Sequence, residues 1–496
     1  MTKNFSVLKS LSMAIVAVVF PSLVYGIGNV VQQEQIFSYN YNEEAALAER
    51  FDLDSPDPEM LRETFSKRRQ RVLQSIPEGA MLVHSVEWVQ PRRLEFQVPH
   101  SDNHDFIFLT GLEGLQSVGS ALLLIPTAEK DWVVLFTSSD IESVRRVTGI
   151  DDVRDYQELE KELSVAMTDY RDWRITQIRR WPLAAALSKI WGRNHKTLYL
   201  NYPRFFRLGM PEPPRLKLFK RFERFSPEME LRDGADILDP VRMLHDGYGI
   251  ANLRRAVDIT GEGIIEALSV AKVGISEREV MEVMDFVYRY RGADLGFPTA
   301  VRRAPMTGRA RTHRIPEGFI QYVPRSGQDV FQSDDMLHTD TGAEFNHYSA
   351  DIQRNIPIDG TFNDEQRRLY EIALNVQKTV ISQVRPGVTW QELHDLAVRM
   401  LKEAGGYDEY YTYGIGHFIG MEVHDEGDYQ VPMKPGMALS IEQGVAPPNG
   451  PRIAFEDDVL VTQDGYEWIS EWIPIELDDV EEMAKRRGKL EEFVAK

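Results

Sequence analysis

The sequence predicts two folded parts, an α/β N-terminal domain and a larger α+β domain built from two copies of one unit. Two observations carry this. Between residues 80 and 202, short apolar runs alternate with helical ones, the pattern of strands interleaved with helices. In the second half, two helix-forming stretches recur at a constant offset of 113 residues, which aligns Gly274 with Gly387, Glu279 with Glu392 and Gly292 with Gly405.

The chain of 496 residues is 43% hydrophobic, enough for more than one core. Lys+Arg number 57 against 77 Asp+Glu, a formal charge of −20. That balance excludes a general nucleic-acid binder, which needs a basic surface to neutralise phosphate. Cysteine is absent, so disulfides and thiolate metal ligands are excluded too.

The N-terminus combines Lys3 and Lys9, an apolar run from Leu11 to Phe20, and Val24-Tyr25-Gly26. This charge–apolar–small order reads as a secretory signal peptide over residues 1–26, with an apolar run too short for a membrane span. The mature protein is expected to be exported, periplasmic or secreted, to begin near Ile27 and to have no stable membrane insertion. An acidic segment, 27–58, is expected to be mobile. The N-terminal domain and its linker span 59–240. A first helix there carries Arg68, Arg69 and Arg71, expected on its polar side. The runs "AMLVHSV", "FIFLTGL", "SALLLIP", "WVVLFTS" and "TLYLNYP" read as strands, and "IESVRRV" and "AAALSKIW" as helices. The proline-containing, basic and aromatic stretch from Pro203 to Pro240 reads as the linker.

The second domain, 241–496, is better organised. Ser276 with Glu279 and Thr389 with Glu392 form capping boxes ahead of apolar helical faces. Each copy is preceded by a long helix, "ANLRRAVDITGEGIIEALSVA" or "DEQRRLYEIALNVQKTVISQV", and followed by strand-like sequence. A duplicated helix–helix–strand unit would pack with pseudo-twofold symmetry, sheets inside and helices outside.

The chemistry-bearing residues fall in the strands. In "HTDTGAEFNHYSADIQRN", a two-residue turn at Phe345 and Asn346 would set Asp340 opposite Asp351. Like charges paired across strands repel, so a positive group between them is expected. His417 and His424 lie in the glycine-rich "YGIGHFIGMEVHDEG", Glu442 in "GMALSIEQGV" and Glu456 in "IAFEDDVLV". Singly, a histidine or glutamate in a strand is most often a hydrogen-bonded structural residue. Together, four carboxylates and an imidazole need positive partners that no lysine or arginine of these strands could supply to all. Oxygen-rich ligation with one imidazole suits two divalent ions such as manganese, cobalt, iron or zinc.

In their order and spacing, "DTGAEFNHYSADIQR", "GIGHFIGMEVHD", "PGMALSIEQG" and "FEDDVLVT" resemble the signatures of the M24 metallopeptidases. That family includes aminopeptidase P, prolidase and methionine aminopeptidase. "HSDNHDFIFLTGLEG" is similar to the N-terminal domain of bacterial aminopeptidase P. The resemblance implies a pita-bread catalytic domain that hydrolyses the bond before a penultimate proline, in a homo-oligomer acting on peptides. It implies two divalent ions, manganese first, with cobalt, zinc or iron as alternatives. Asp340 would chelate one ion, Asp351 and Glu456 would bridge both, and His417 and Glu442 would complete them. Glu442 would also carry the proton from water toward the leaving amine. His424 would contact the substrate carbonyl and stabilise the tetrahedral intermediate.

The sequence departs from the family pattern around these ligands. Gln321 and Tyr413 stand at substrate-contacting positions where histidine is expected, and Ala454 where arginine is expected, with Arg452 two residues away. Gln443 replaces the common proline after Glu442, and Gln353 the common threonine after Asp351. Glutamine and tyrosine donate hydrogen bonds but do not relay protons near pH 7 as imidazole does. Two other readings stay open: a hydrolase of this fold with a substrate other than Xaa-Pro, and a non-catalytic peptide-binding protein. A peptide panel separates the first from an Xaa-Pro peptidase, and metal content the second.

Overall fold

The computed structural model describes residues 39–85, 103–167, 181–191, 196–202, 220–221, 223–224, 229–304, 313–314, 320–321, 329–411, 414–448 and 450–485. The expected signal peptide and Tyr413 lie outside these residues.

Six strands form the N-terminal sheet: β1 (Ala80–His84), β2 (Ala121–Ile125), β3 (Trp132–Thr137), β4 (Asp152–Asp155), β5 (Lys196–Leu200) and β6 (Met229–Asp233), in the order β4-β3-β2-β1-β5-β6. Strands β1, β2 and β5 are buried along their whole length, which explains why they read as unbroken apolar runs rather than alternating ones. The helices Gln157–Met167 and Pro182–Trp191 cover the sheet through Leu159, Leu163, Leu183, Leu187 and Trp191.

Four expectations for this half are corrected. "FIFLTGL" is not a strand: His104–Thr110 is a helix, capped by the Asn103 side chain and ended by Gly111 in the left-handed conformation. Its residues Asp105–Thr110 are all buried, and a short run buried on every side shows no period by which helix and strand can be told apart. Arg68 and Arg69 are buried rather than on a polar face, at 1% and 4% exposure. Arg68 is bidentate to Asp246 (2.7 and 2.8 Å) and Arg69 donates to the Leu109 carbonyl (2.8 Å), so the charges are satisfied inside. The segment expected to be mobile contains the helix Tyr41–Ala48, anchored by Tyr41 to Glu467 and by Glu44 to the Gly247 N–H (2.8 Å). Finally, the expected linker holds β6 and the helix Ala235–Arg242, with Pro240 inside that helix.

The second sheet is antiparallel and carries the functional residues. Its strands are β8 (Ala300–Ala304), β11 (Met336–Thr341), β14 (Ile352–Pro357), β15 (Gly416–Phe418), β16 (Ala438–Val445) and β17 (Ile453–Val461), ordered β15-β16-β17-β14-β11-β8, with β18 (Tyr466–Trp468) on β17. Smaller ribbons are made by β9 (His313–Arg314) with β10 (Ile320–Gln321), and by β7 (Asp294–Leu295), β12 (Ala343–Phe345) and β13 (Tyr348–Ser349). The internal repeat holds. Helices Glu277–Tyr290 and Trp390–Glu403 have 14 residues each and both start with the expected capping box. Each is preceded by a glycine at positive φ, 93° at Gly274 and 91° at Gly387. Long helices precede both, Gly247–Val270 and Asp364–Ile381.

The hairpin register differs from expectation. The turn is Asn346–His347, both at positive φ (48° and 65°), and Phe345 pairs with Tyr348. Two left-handed residues are what a tight two-residue hairpin turn requires, and Phe345, 7% exposed, stays in the strand. Asp340 therefore faces Gln353 rather than Asp351. No helix among the described residues is long and apolar enough to cross a membrane.

Candidate metal centre

Register places acidic side chains in one line across the sheet. Glu442 pairs with Glu456, Glu456 with Gln353, and Gln353 with Asp340. Asp351 lies two residues before Gln353, so by the two-residue period it shares that face. His417 arrives on β15 opposite Ser440. Strand β15 can approach this closely because residue 416 is glycine: a Cβ there would stand 1.9 Å from the Ser440 carbonyl oxygen.

The arrangement converges on Glu456. Its Oε1 accepts from Ser440 Oγ at 2.7 Å and lies 3.3 Å from His417 Nε2, while its Oε2 accepts from Gln353 Nε2 at 2.6 Å. The same Gln353 nitrogen reaches Glu442 Oε2 at 3.3 Å. His417 donates from Nδ1 to the Phe418 carbonyl (3.0 Å), which aims Nε2 at Glu456 and at Asp351 Oδ2, 3.6 Å away. The Asp351 N–H donates to Asp458 Oδ2 at 3.1 Å.

The charges of these residues act on one another. Burial and then the Glu456 charge push Asp340 up to about 7 and Glu442 up to about 8. The same two causes raise Asp351 well above the ordinary carboxylate range. Burial opposes the ionised form of Glu456, but hydrogen bonds from His417, Ser440 and Gln353 outweigh it and hold Glu456 low. His417 is raised despite burial, by Asp351 and Glu456. Protons thus supply the positive charge when no ion is bound.

These residues fit a divalent metal. Donor atoms of Asp351, His417 and Glu456 lie within 4.8 Å of one another, all three residues being buried. Asp351 Oδ1 is buried without a hydrogen-bond partner among the described residues, a costly state for a carboxylate oxygen unless a cation meets it. Asp340 and Glu442 stand at the two ends of the row that passes through Glu456.

The outer residues are less uniform. His424 is exposed, its ring 4.3 Å from that of His417. Partial desolvation, then repulsion from His417, keep its imidazole below the ordinary range. The next residue, Asp425, is buried and paired to Arg242, which also binds Asp105 at 2.8 Å. Helix His104–Thr110 thereby helps fix the loop that presents His424. The Gln321 backbone pairs with His313 in the β9–β10 ribbon. Ala454 is buried and its N–H donates to Asn355 Oδ1 (3.3 Å), leaving no arginine at that position. Positive charge reaches Asp340 instead from Arg302 and Arg452.

Ser440, Asp458, Arg302 and the Asp105–Arg242–Asp425 triad border the site without being among the candidates the sequence offers. Ser440 was legible, because it precedes Glu442 by two on an alternating strand. The triad had no local signal, since its members lie on three separate segments.

The model of metallopeptidase family M24 matches residues 251–463. An Xaa-Pro dipeptidase of Pyrococcus furiosus is 30% identical over 268 residues, 52% of this chain and 72% of the relative. An Xaa-Pro aminopeptidase 1 of Streptomyces coelicolor is 30% identical over 289 residues, and this chain spans 56% of its length. In fold, aminopeptidase P from E. coli matches with a TM-score of 0.67 at 20% identity, covering 85% of this chain and 98% of that one. The pita-bread architecture that the family resemblance implies, and with which the internal repeat agrees, is the fold observed. This chain belongs to metallopeptidase family M24.

Proposed function

We propose that this chain is an exported metallo-aminopeptidase that removes the N-terminal residue from peptides with proline in second position, using two divalent ions. The observation that carries it is the row Glu442–Glu456–Gln353–Asp340 with Asp351 and His417 converging on Glu456. Asp340, Asp351, His417, Glu442 and Glu456 would hold the ions, with manganese the preferred occupant for such an oxygen-rich set. Bound there, divalent ions would activate water and polarise the scissile carbonyl. Glu442 would accept the proton and return it to the leaving amine. His424, neutral at pH 7, donates its N–H to the carbonyl oxygen.

The relatives named as Xaa-Pro dipeptidase and Xaa-Pro aminopeptidase support the substrate class. The altered positions Gln321, Tyr413 and Ala454 favour a slow or re-specified member of it. Hydrolysis of matched peptides with and without proline in second position tests the reading. Preference for the proline series supports it, and equal or reversed preference sinks the substrate assignment. Export is tested by the mass of the protein from its native host, which should start near Ile27; retention of Met1 on a cytoplasmic protein would contradict it.

A further inference from the structure

Gln353 occupies the centre of the acidic row, and its side chain is longer than the threonine that the family resemblance leads one to expect. Strands in a sheet lie about 4.8 Å apart, so β16 is roughly 9.6 Å from β14. A short hydroxyl side chain on β14 can meet its direct partner on β17 but not a residue on β16. Gln353 Nε2 meets both: Glu456 Oε2 on β17 at 2.6 Å and Glu442 Oε2 on β16 at 3.3 Å. One NH2 group has two hydrogens, so it can serve both carboxylates at once. The residue is 2% exposed, and its Oε1 has no hydrogen-bond partner among the described residues.

We propose that Gln353 is a positioning residue for the metal centre: its amide clamps Glu442 and Glu456 together and sets both carboxylate planes toward the ions. The inference rests on the metal-centre reading above and adds a role for a residue outside the five ligands. An uncharged clamp suits this place. A lysine would compete with the cations, and a third glutamate would add to a repulsion the cluster already carries. Groups that orient ligating carboxylates typically change metal affinity by about 10–100-fold when removed.

The test is calorimetric titration of chelator-stripped protein with Mn2+, for wild type, Gln353→Met and Gln353→Thr. Methionine preserves length and removes both donors, whereas threonine keeps a hydroxyl for Glu456 alone. The expected result is binding about 10–100-fold weaker in Gln353→Met, with Gln353→Thr between it and wild type. At saturating Mn2+, Gln353→Met should lower kcat with KM little changed, because the clamp acts on Glu442 and not on the substrate. A melting temperature for each stripped variant confirms folding, and if Gln353→Met fails to fold, Gln353→Thr alone decides. Wild-type protein that binds Mn2+ while the folded variants bind equally well would overturn the clamp and leave the metal centre standing. Wild-type protein that takes up no ion would overturn both.

Discussion

Asp340 stands opposite Gln353, with Asp351 two residues away on the same face. An amide, not a second carboxylate, fills the direct cross-strand position, and this lowers the repulsion that a strict aspartate pair would impose. What remains is still a cluster of four carboxylates around one imidazole.

Chelation should therefore destabilise the protein as well as silence it. An ion bound only to the folded state contributes about 2.7 kcal/mol at a hundredfold excess over its Kd. Dialysis against a chelator should lower both Tm and peptide hydrolysis, and re-addition of Mn2+ should restore them. A chelated protein with unchanged Tm and activity would count against the metal centre.

The stripped protein should have an inverted pH profile. Asp340 and Glu442 titrate at about 7 and 8 when folded, above their ordinary 3.8 and 4.5. Between those limits the folded state holds more protons than the unfolded one, so stability falls as pH rises. His417 acts in the same direction, its raised pKa giving stability that is lost as pH rises through it. Glu456, held low, offsets part of this at the acidic end. Metal binding displaces these protons and strengthens with pH. The Tm gap between Mn2+-loaded and stripped protein should widen from pH 5 to pH 8; a constant gap would contradict the coupling.

Arg242→Leu should be strongly destabilising. Arg242 is 3% exposed and is the partner of Asp105 and Asp425. Breaking a buried ion pair from one side typically costs about 3–5 kcal/mol, because the remaining charge is left unpaired. Urea unfolding should show an unfolding free energy lower by that amount. Any folded fraction should also have reduced kcat, since Asp425 adjoins His424. A shift below about 1 kcal/mol would mean the carboxylates find water instead.

Exchanges in the outer residues should separate support from rate. His424→Ala should lower kcat/KM severely, since one lost donor to a developing oxyanion costs about 2.7–4 kcal/mol. Tyr413→His or Gln321→His should raise kcat/KM on an Xaa-Pro peptide. Both replacements being neutral or harmful, beside a fast wild type, would show that the site uses another geometry.

Much of this was legible in the sequence because the signals were local. The capping boxes at Ser276 and Thr389 fixed helix starts, and the repeat offset predicted two equal helices. The five residues proposed as ligands lie in the motifs that carry the family resemblance, and register sets Glu442, Glu456 and Asp340 in one row. The failures were non-local. Helix His104–Thr110 was hidden by burial on all sides. Arg68 and Arg69 were misplaced because their partners Asp246 and Leu109 lie on other segments. The hairpin turn lies one residue later than expected, which moves the partner of Asp340 from Asp351 to Gln353, because the left-handed positions belong to Asn346 and His347 while aromatic Phe345 stays in the strand.

Metal analysis of the purified protein, run beside an Xaa-Pro hydrolysis assay on the same sample, tests the central claim most directly. The account predicts two divalent ions per chain and turnover that rises and falls with their occupancy. Fully folded protein that holds no divalent ion after incubation with manganese, cobalt, zinc or iron, yet cleaves Xaa-Pro peptides, would contradict it.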